Sequence, residues 1–171
     1  GGAALTSAAP TITVTPGPRS LAQSSVAIRV PSLASGDTAT ITVTARDAFG
    51  NLVGVGGATV EVGLGSGTSA GDIGPVGDAG DGTYRALFTA TLAGTARTIV
   101  ATIDGDTITS PAPTVTVTPG ALSLAQTTVT VGTATLASGA ATTLTLTARD
   151  AAGNAIGAGG ATVLFTKGAG T

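Results

Sequence analysis

The sequence predicts an all-β protein folded as an antiparallel β-sandwich. Hydrophobic residues make up 42% of the chain but aromatic residues only 2%, so a core has to be built mainly from Val, Ile, Leu and Ala. β-Sheets pack small branched side chains of this kind closely. The 171 residues also include 27 glycines and 8 prolines, a composition typical of many short strands joined by tight turns.

Six segments show the alternation of apolar and polar residues that marks a strand buried on one face. In the clearest one, residues 38–46, the side chains of Ile41, Val43 and Ala45 share one face and threonines occupy the other. The pattern predicts strands over 25–30, 38–46, 58–62, 83–91, 96–103 and 113–119.

Turn-forming residues separate these strands. Glycine stands near Asp or Asn at 34–37, 47–51, 77–82 and 104–106, a combination suited to left-handed backbone and side-chain-capped turns. Six or seven short strands at this spacing indicate a sandwich of the immunoglobulin type.

The chain repeats itself with a period of 103 residues. Residues 11–68 align with residues 114–171 without a gap, and 33 of these 58 pairs are identical. One shared block is TARDA, at 44–48 and again at 147–151, in which we interpret the aspartate as a turn residue that accepts backbone N–H groups. Self-similarity at this period indicates an array of domains, each with its own core.

The repeat predicts three parts. Residues 1–16 are expected to be the tail, or last strand, of a preceding repeat, residues 17–118 a complete sandwich, and residues 119–171 the incomplete first half of the next repeat. In that last part, the copy of strand 58–62 is expected to bury Val163 and Phe165. The expectation is therefore a segment of a longer array of repeats about 103 residues long.

Two stretches resemble known repeat families. SGDTATITVTARDAFGNLVGVGGATVEV (35–62) resembles the bacterial immunoglobulin-like repeats of invasin and intimin type adhesins, which pair a T-x-T-V-T-like strand with a D-x-x-G-N turn. DGTYRALFTATLAGTARTIVATIDGDTITSPAPTVTV (81–117) is similar to the second half of a filamin-type immunoglobulin repeat. The resemblance implies tandem immunoglobulin-like sandwiches, an extracellular location on a bacterial cell surface, and a role as an adhesin stalk.

Five aspartates in glycine-rich turns form the candidate metal site: Asp72, Asp78, Asp81, Asp104 and Asp106. Calcium takes several oxygen ligands, and carboxylates on flexible loops can supply them. The spacing matches no EF-hand loop, however, and Asp beside Gly is also typical of ordinary turns. Calcium ligands and plain turn residues both stay open as interpretations.

Composition argues against several other classes. The chain has no His, no Cys and a single glutamate, Glu61, so the usual acid–base and nucleophilic groups of an enzyme are missing. Charged residues make up 9% and the net charge is −2, which leaves no basic patch for nucleic acid or anionic lipid. We therefore expect no enzyme, no nucleic-acid partner, no membrane insertion and no cofactor other than calcium.

Two functional hypotheses follow from different classes of protein. In the first, the chain is a stalk or spacer of a surface adhesin, kept extended by the prolines Pro16, Pro18 and Pro119 at the joints between repeats. In the second, it is a self-assembling subunit of an extracellular filament, sheath or phage tail, whose open sandwich is completed by a neighbouring chain. The expected partners are adjacent repeats of the same chain or neighbouring copies, and the sequence predicts no particular ligand.

Overall fold

The structure, a computed structural model, describes residues 7–166 and places twelve β-strands in that range. No helix long and apolar enough to cross a membrane occurs among these residues. In chain order the strands are β1 (Ser25–Ile28), β2 (Ser32–Ala34), β3 (Thr38–Thr44), β4 (Val60–Leu64), β5 (Ala70–Ile73), β6 (Gly77–Asp78), β7 (Thr83–Leu92), β8 (Arg97–Ile103), β9 (Asp106–Thr107), β10 (Thr114–Thr118), β11 (Thr128–Val131) and β12 (Leu144–Thr147).

The first ten strands form two sheets. One sheet has the order β1-β3-β7-β5, with β6 also paired to β7, and all its pairs are antiparallel. The other has the order β2-β10-β8-β4, with β9 paired to β8. This arrangement confirms the predicted β-sandwich.

One pair of strands differs from the wholly antiparallel prediction. β2 and β10 run parallel, with Ser32 opposite Thr116. The cause is local, because residues 29–31 carry the chain from β1 in one sheet to β2 in the other. Pro31 cannot donate a backbone hydrogen bond, but its carbonyl accepts one from the Thr116 N–H at 2.8 Å and so starts the new pairing.

The core lies between the two sheets and uses the predicted apolar faces. Ile41 and Val43 on β3 are 0% and 1% exposed, and Phe88 on β7 is fully buried. Ile99 and Val115 close the core from the second sheet. Burial of each such side chain contributes about 1.5–3 kcal/mol relative to an exposed one.

The six predicted strands of residues 25–119 all occur, with ends shifted by a few residues. The short strands β2, β5, β6 and β9 were not predicted. β5 and β6 lie in the glycine-rich stretch 69–82, where intrinsic strand propensity is low. They form because the ten-residue β7 offers its backbone along its whole length, with Asp72 opposite Thr89.

The second copy of the repeat is described in part. β11 pairs with β12 in the register that β1 makes with β3: Ser25 opposes Thr44, and Thr128 opposes Thr147. The predicted strand at 161–165 is absent from the described residues. Val163 and Phe165 are each 47% exposed, so their predicted burial was wrong. In the first copy β4 forms by pairing with β8, with Val60 opposite Ile103.

The proposed tail of a preceding repeat falls partly outside the described residues, which begin at residue 7. Residues 11–16 lie in no sheet, and Ile12 is 91% exposed. The assignment of 1–16, 17–118 and 119–171 to separate units stays a prediction.

Candidate junction between the two copies

Two of the five candidate calcium ligands lie just before β7: Asp78 ends β6 and Asp81 lies in the turn that follows. The carboxylate of Asp78 accepts the N–H of Gly57 at 2.6 Å and that of Gly80 at 2.8 Å. Asp81 accepts both the hydroxyl of Thr83, at 2.6 Å, and its N–H, at 2.9 Å, and these bonds lower its pKa. The Asp81 carboxylate therefore serves its own turn, whereas that of Asp78 also joins this turn to the loop at Gly57.

The other three candidates are spread over two places. Asp104 accepts the Thr59 N–H at 2.9 Å and forms an ion pair with Arg19, while Asp106 starts β9 across the same turn. Asp72 lies on β5. Within residues 7–166 no three acidic side chains form a group that could hold a metal ion, and the calcium hypothesis stays a prediction.

The sequence RDAxGN occurs at 46–51 and at 149–154, and we call these segments the first and second RDAxGN turns. In the first, Asp47 is 2% exposed, and one carboxylate oxygen accepts the N–H groups of Phe49 and Asn51, both at 2.9 Å. The other oxygen accepts the side-chain amide of Asn51 and the N–H of Gly17, both at 3.0 Å. The hydrogen bond from the Asn51 side chain has the largest effect, and together these bonds lower the pKa of Asp47 to about 2. The aspartate is a turn residue, as predicted.

The second RDAxGN turn repeats this geometry. Asp150 is 1% exposed and accepts the N–H groups of Ala152 and Asn154 at 3.0 and 2.8 Å. Its other oxygen accepts the Asn154 side-chain amide and the Gly120 N–H, both at 2.8 Å. Burial raises the pKa of Asp150, but the hydrogen bonds outweigh it and hold the pKa at about 2.

Asn154 also reaches across to the first copy. Its Oδ1 accepts the N–H of Ala93 at 2.9 Å, and its Nδ2 donates to the carbonyl of Thr91 at 2.8 Å. Because Ala93 offers a donor while Thr91 and Asp150 offer acceptors, only one orientation of the amide satisfies all three. The side chain is 7% exposed, so these bonds are shielded from water.

The connecting peptide is fixed on both sides of Pro119. The Thr118 carbonyl accepts the N–H of Ser35 at 2.8 Å, on the first copy, while the Gly120 N–H binds Asp150, on the second. A Cβ at Gly120 would lie 2.5 Å from the Ser35 carbonyl oxygen, so a larger residue would separate the copies. Since the ring of Pro119 fixes its own φ, few backbone torsions remain free here.

A groove of about 280 Å³ runs beside this contact. It is lined by Ser35, Gly36 and residues 89–91 of the first copy and by Ala151 and Ala152 of the second.

Sequence reasoning found the RDAxGN turns but missed their role between the copies. The signal was present, because the glycine that follows a proline and the Asp–Asn pair recur together one period apart. The contact itself joins Asn154 to residues 61 and 63 positions earlier, which no local pattern predicts.

Comparison with known proteins finds similarity to invasin and to related bacterial surface proteins. The family model for invasin, domain 3, matches residues 20–120. InvD from Yersinia pseudotuberculosis has a similar structure, with 31% identity and a TM-score of 0.60 over 85% of this chain and 46% of that one. Invasin, a bacterial integrin-binding protein, has 29% identity and a TM-score of 0.62 over 82% of this chain and 29% of that one.

The Escherichia coli adhesin FdeC is also similar, with 28% identity and a TM-score of 0.60 over 83% of this chain and 45% of that one. The chain thus spans less than half the length of each of these three structures. A filamin domain, that of Lin-41, matches at 20% identity and a TM-score of 0.43. The search of curated protein sequences finds no match.

The predicted resemblance to invasin-type adhesin repeats is confirmed, and with it the immunoglobulin-like sandwich fold. These relationships support an adhesin-related role. On the match over residues 20–120, the chain belongs to the invasin domain 3 family.

Proposed function

We propose that the chain is a spacer segment of a bacterial surface adhesin, whose tandem repeats lie outside the cell and hold a distal binding region away from it. The observation that carries this proposal is the contact of Asn154 with the backbone of Thr91 and Ala93. A spacer holds a distal region at a fixed place only if successive units keep a fixed relative orientation. The bonds of Asn154 restrain the second unit from rotating against the first.

The mechanism is mechanical rather than chemical. The backbone on one side of Pro119 is bonded to the first copy and on the other side to the second, so the two units turn together. A short proline-containing joint keeps such an array extended. The lack of His and Cys in the sequence and the adhesin family both support a non-enzymatic role.

A filament or sheath subunit is the second candidate, favoured by one observation. Leu144 on β12 is 47% exposed, although Ile41, one period earlier, is fully buried. Strands from a neighbouring molecule could pair with an edge of the β11–β12 sheet by β-strand addition and so complete the sandwich over this face.

Light scattering and small-angle X-ray scattering on residues 1–171 separate the two candidates. The spacer function predicts a constant monomer mass over a hundredfold range of concentration. It also predicts that the maximum dimension rises by one further unit length when residues 14–116 are duplicated in tandem. Mass that grows with concentration, or a duplicated chain that folds back to a compact shape, would contradict the spacer function.

A further inference from the structure

We infer that the first RDAxGN turn is a docking surface for a preceding copy of the same repeat, which it contacts through Asn51 and Phe49. The occupant is the turn of that copy equivalent to residues 91–93. The inference rests on the spacer function proposed above. It adds a second junction between repeats, in which Phe49 takes the place that Ala152 has in the first.

The hydrogen-bonding half of this surface is already formed. Asn51 holds the same bonds to Asp47 that Asn154 holds to Asp150, through its backbone N–H and its Nδ2. Asn51 is exposed, and within residues 7–166 its Oδ1 accepts no hydrogen bond. The equivalent oxygen of Asn154 accepts the N–H of Ala93. The Asn51 amide is therefore oriented, at no further cost in side-chain entropy, to bind a backbone of the same geometry.

The chain also enters the two turns in the same way. The Gly17 N–H binds Asp47 at 3.0 Å, as the Gly120 N–H binds Asp150 at 2.8 Å. Each of these glycines follows a proline and a TxTVT sequence, at 11–15 and 114–118. The second of these sequences forms β10, the last strand of the complete sandwich. A preceding copy that ended in residues 11–15 would meet the first turn as residues 25–118 meet the second.

The two turns differ at one position, and this difference defines the apolar half of the surface. Phe49 stands where the second turn has Ala152, and its side chain is 90% exposed. The groove beside Ala152 measures about 280 Å³. Burying an exposed phenyl ring against such a groove is favourable. We therefore place the ring of Phe49 in the corresponding groove of the preceding copy, formed there by the residues equivalent to 35–36 and 89–91.

The occupant is chosen by geometry. A solvent-facing phenyl ring fits many apolar partners, but the Asn51 amide requires a donor and an acceptor two residues apart on one backbone. That pair, placed beside a groove of the right size, occurs in this molecule at Thr91 and Ala93.

The test uses a longer chain in which residues 1–116 are followed directly by residues 14–171, so that a complete copy precedes Phe49 and Asn51. Amide hydrogen exchange is measured by NMR at each Ala93. We expect Asn51→Ala in the second copy to speed exchange at Ala93 of the first copy about tenfold, the factor that corresponds to the loss of one shielded hydrogen bond. Phe49→Ala in the second copy should act in the same direction. Both changes should leave Ala93 of the second copy unaffected.

Residues 1–171 alone supply the matched controls. There Asn51→Ala and Phe49→Ala should leave exchange at Ala93 unchanged, whereas Asn154→Ala should speed it about tenfold. Ala152→Phe should slow exchange at Ala93, because the groove beside residue 152 accepts a phenyl ring. If Asn154→Ala acts as expected but Asn51→Ala in the longer chain does not, the docking surface is refuted and the spacer function stands. If neither Asn154→Ala nor Asn51→Ala speeds exchange, the rigid junction is refuted, and with it both the spacer function and the docking surface. If Ala152→Phe speeds exchange, the ring does not fit the groove and the role of Phe49 is refuted.

Discussion

The two copies of the repeat share most of their sequence, yet they differ in how much of it is packed. Ile41 on β3 is fully buried, whereas its counterpart Leu144 on β12 is 47% exposed. The Asp47 and Asp150 carboxylates, in contrast, are 2% and 1% exposed and make equivalent bonds. The RDAxGN turn forms in both copies because most partners of its aspartate lie within four residues, and the one distant partner, Gly17 or Gly120, is present in each copy. The core forms only where β7 and the second sheet cover it.

The same lesson applies to the TxTVT sequences. At 114–118 the sequence forms β10, and Val117 is 2% exposed. At 11–15 it lies in no sheet, and Val14 is 86% exposed. Alternation marks which residues can form a strand, but a partner strand decides whether they do.

The largest expected effect is a difference between equivalent core positions. Ile41→Ala should lower the free energy of unfolding by about 2–5 kcal/mol, because it leaves a cavity between the two sheets. Leu144→Ala, at the same place in the partly covered copy, should cost less than about 1 kcal/mol. Urea unfolding is followed by the NMR signals of the backbone amides of β3 and of β12, so that each copy reports on the substitution that it carries. Equal losses would show that the two copies are packed alike.

The next effect concerns β5, one of the strands that the sequence did not predict. A Cβ at Gly71 on β5 would lie 2.3 Å from the Thr89 carbonyl oxygen and 2.6 Å from the ring of Phe88. Gly71→Ala should therefore destabilise the sandwich by about 1–3 kcal/mol. The control is Gly74→Ala, where the nearest atom is a carbonyl oxygen at 3.6 Å and the loss should be much smaller. A neutral Gly71→Ala would mean that β5 does not pack against Phe88.

A smaller effect should appear in acid. The pKa of Asp47 is about 2 in the folded protein and 3.8 without its partners. Its contribution to stability is therefore complete above pH 4 and is lost as the pH falls from about 4 towards 2. In Asp47→Asn the urea midpoint should fall less steeply between pH 5 and pH 2 than in the parent chain. Identical slopes would show that this carboxylate does not couple to folding.

Much of the fold could be predicted from the sequence, and the remainder has definable causes. Alternation around Ile41 and Val43 identified a strand and its buried face, since both are local properties. β5 was missed because its pairing with β7 is set by a partner and not by its own Gly and Asp residues. The cross-copy role of Asn154 was missed for the same reason, because its partners Thr91 and Ala93 lie far away in the sequence.

The most direct test of the central claim, that Asn154 holds the two copies in a fixed orientation, is backbone ¹⁵N relaxation on residues 1–171. We predict that amides in residues 25–118 and in residues 128–156 report one common rotational correlation time in the parent chain and in the control Asn51→Ala. In Asn154→Ala the two regions should report different correlation times, with the faster one in the second copy. Different correlation times already present in the parent chain, or no change in Asn154→Ala, would contradict the account.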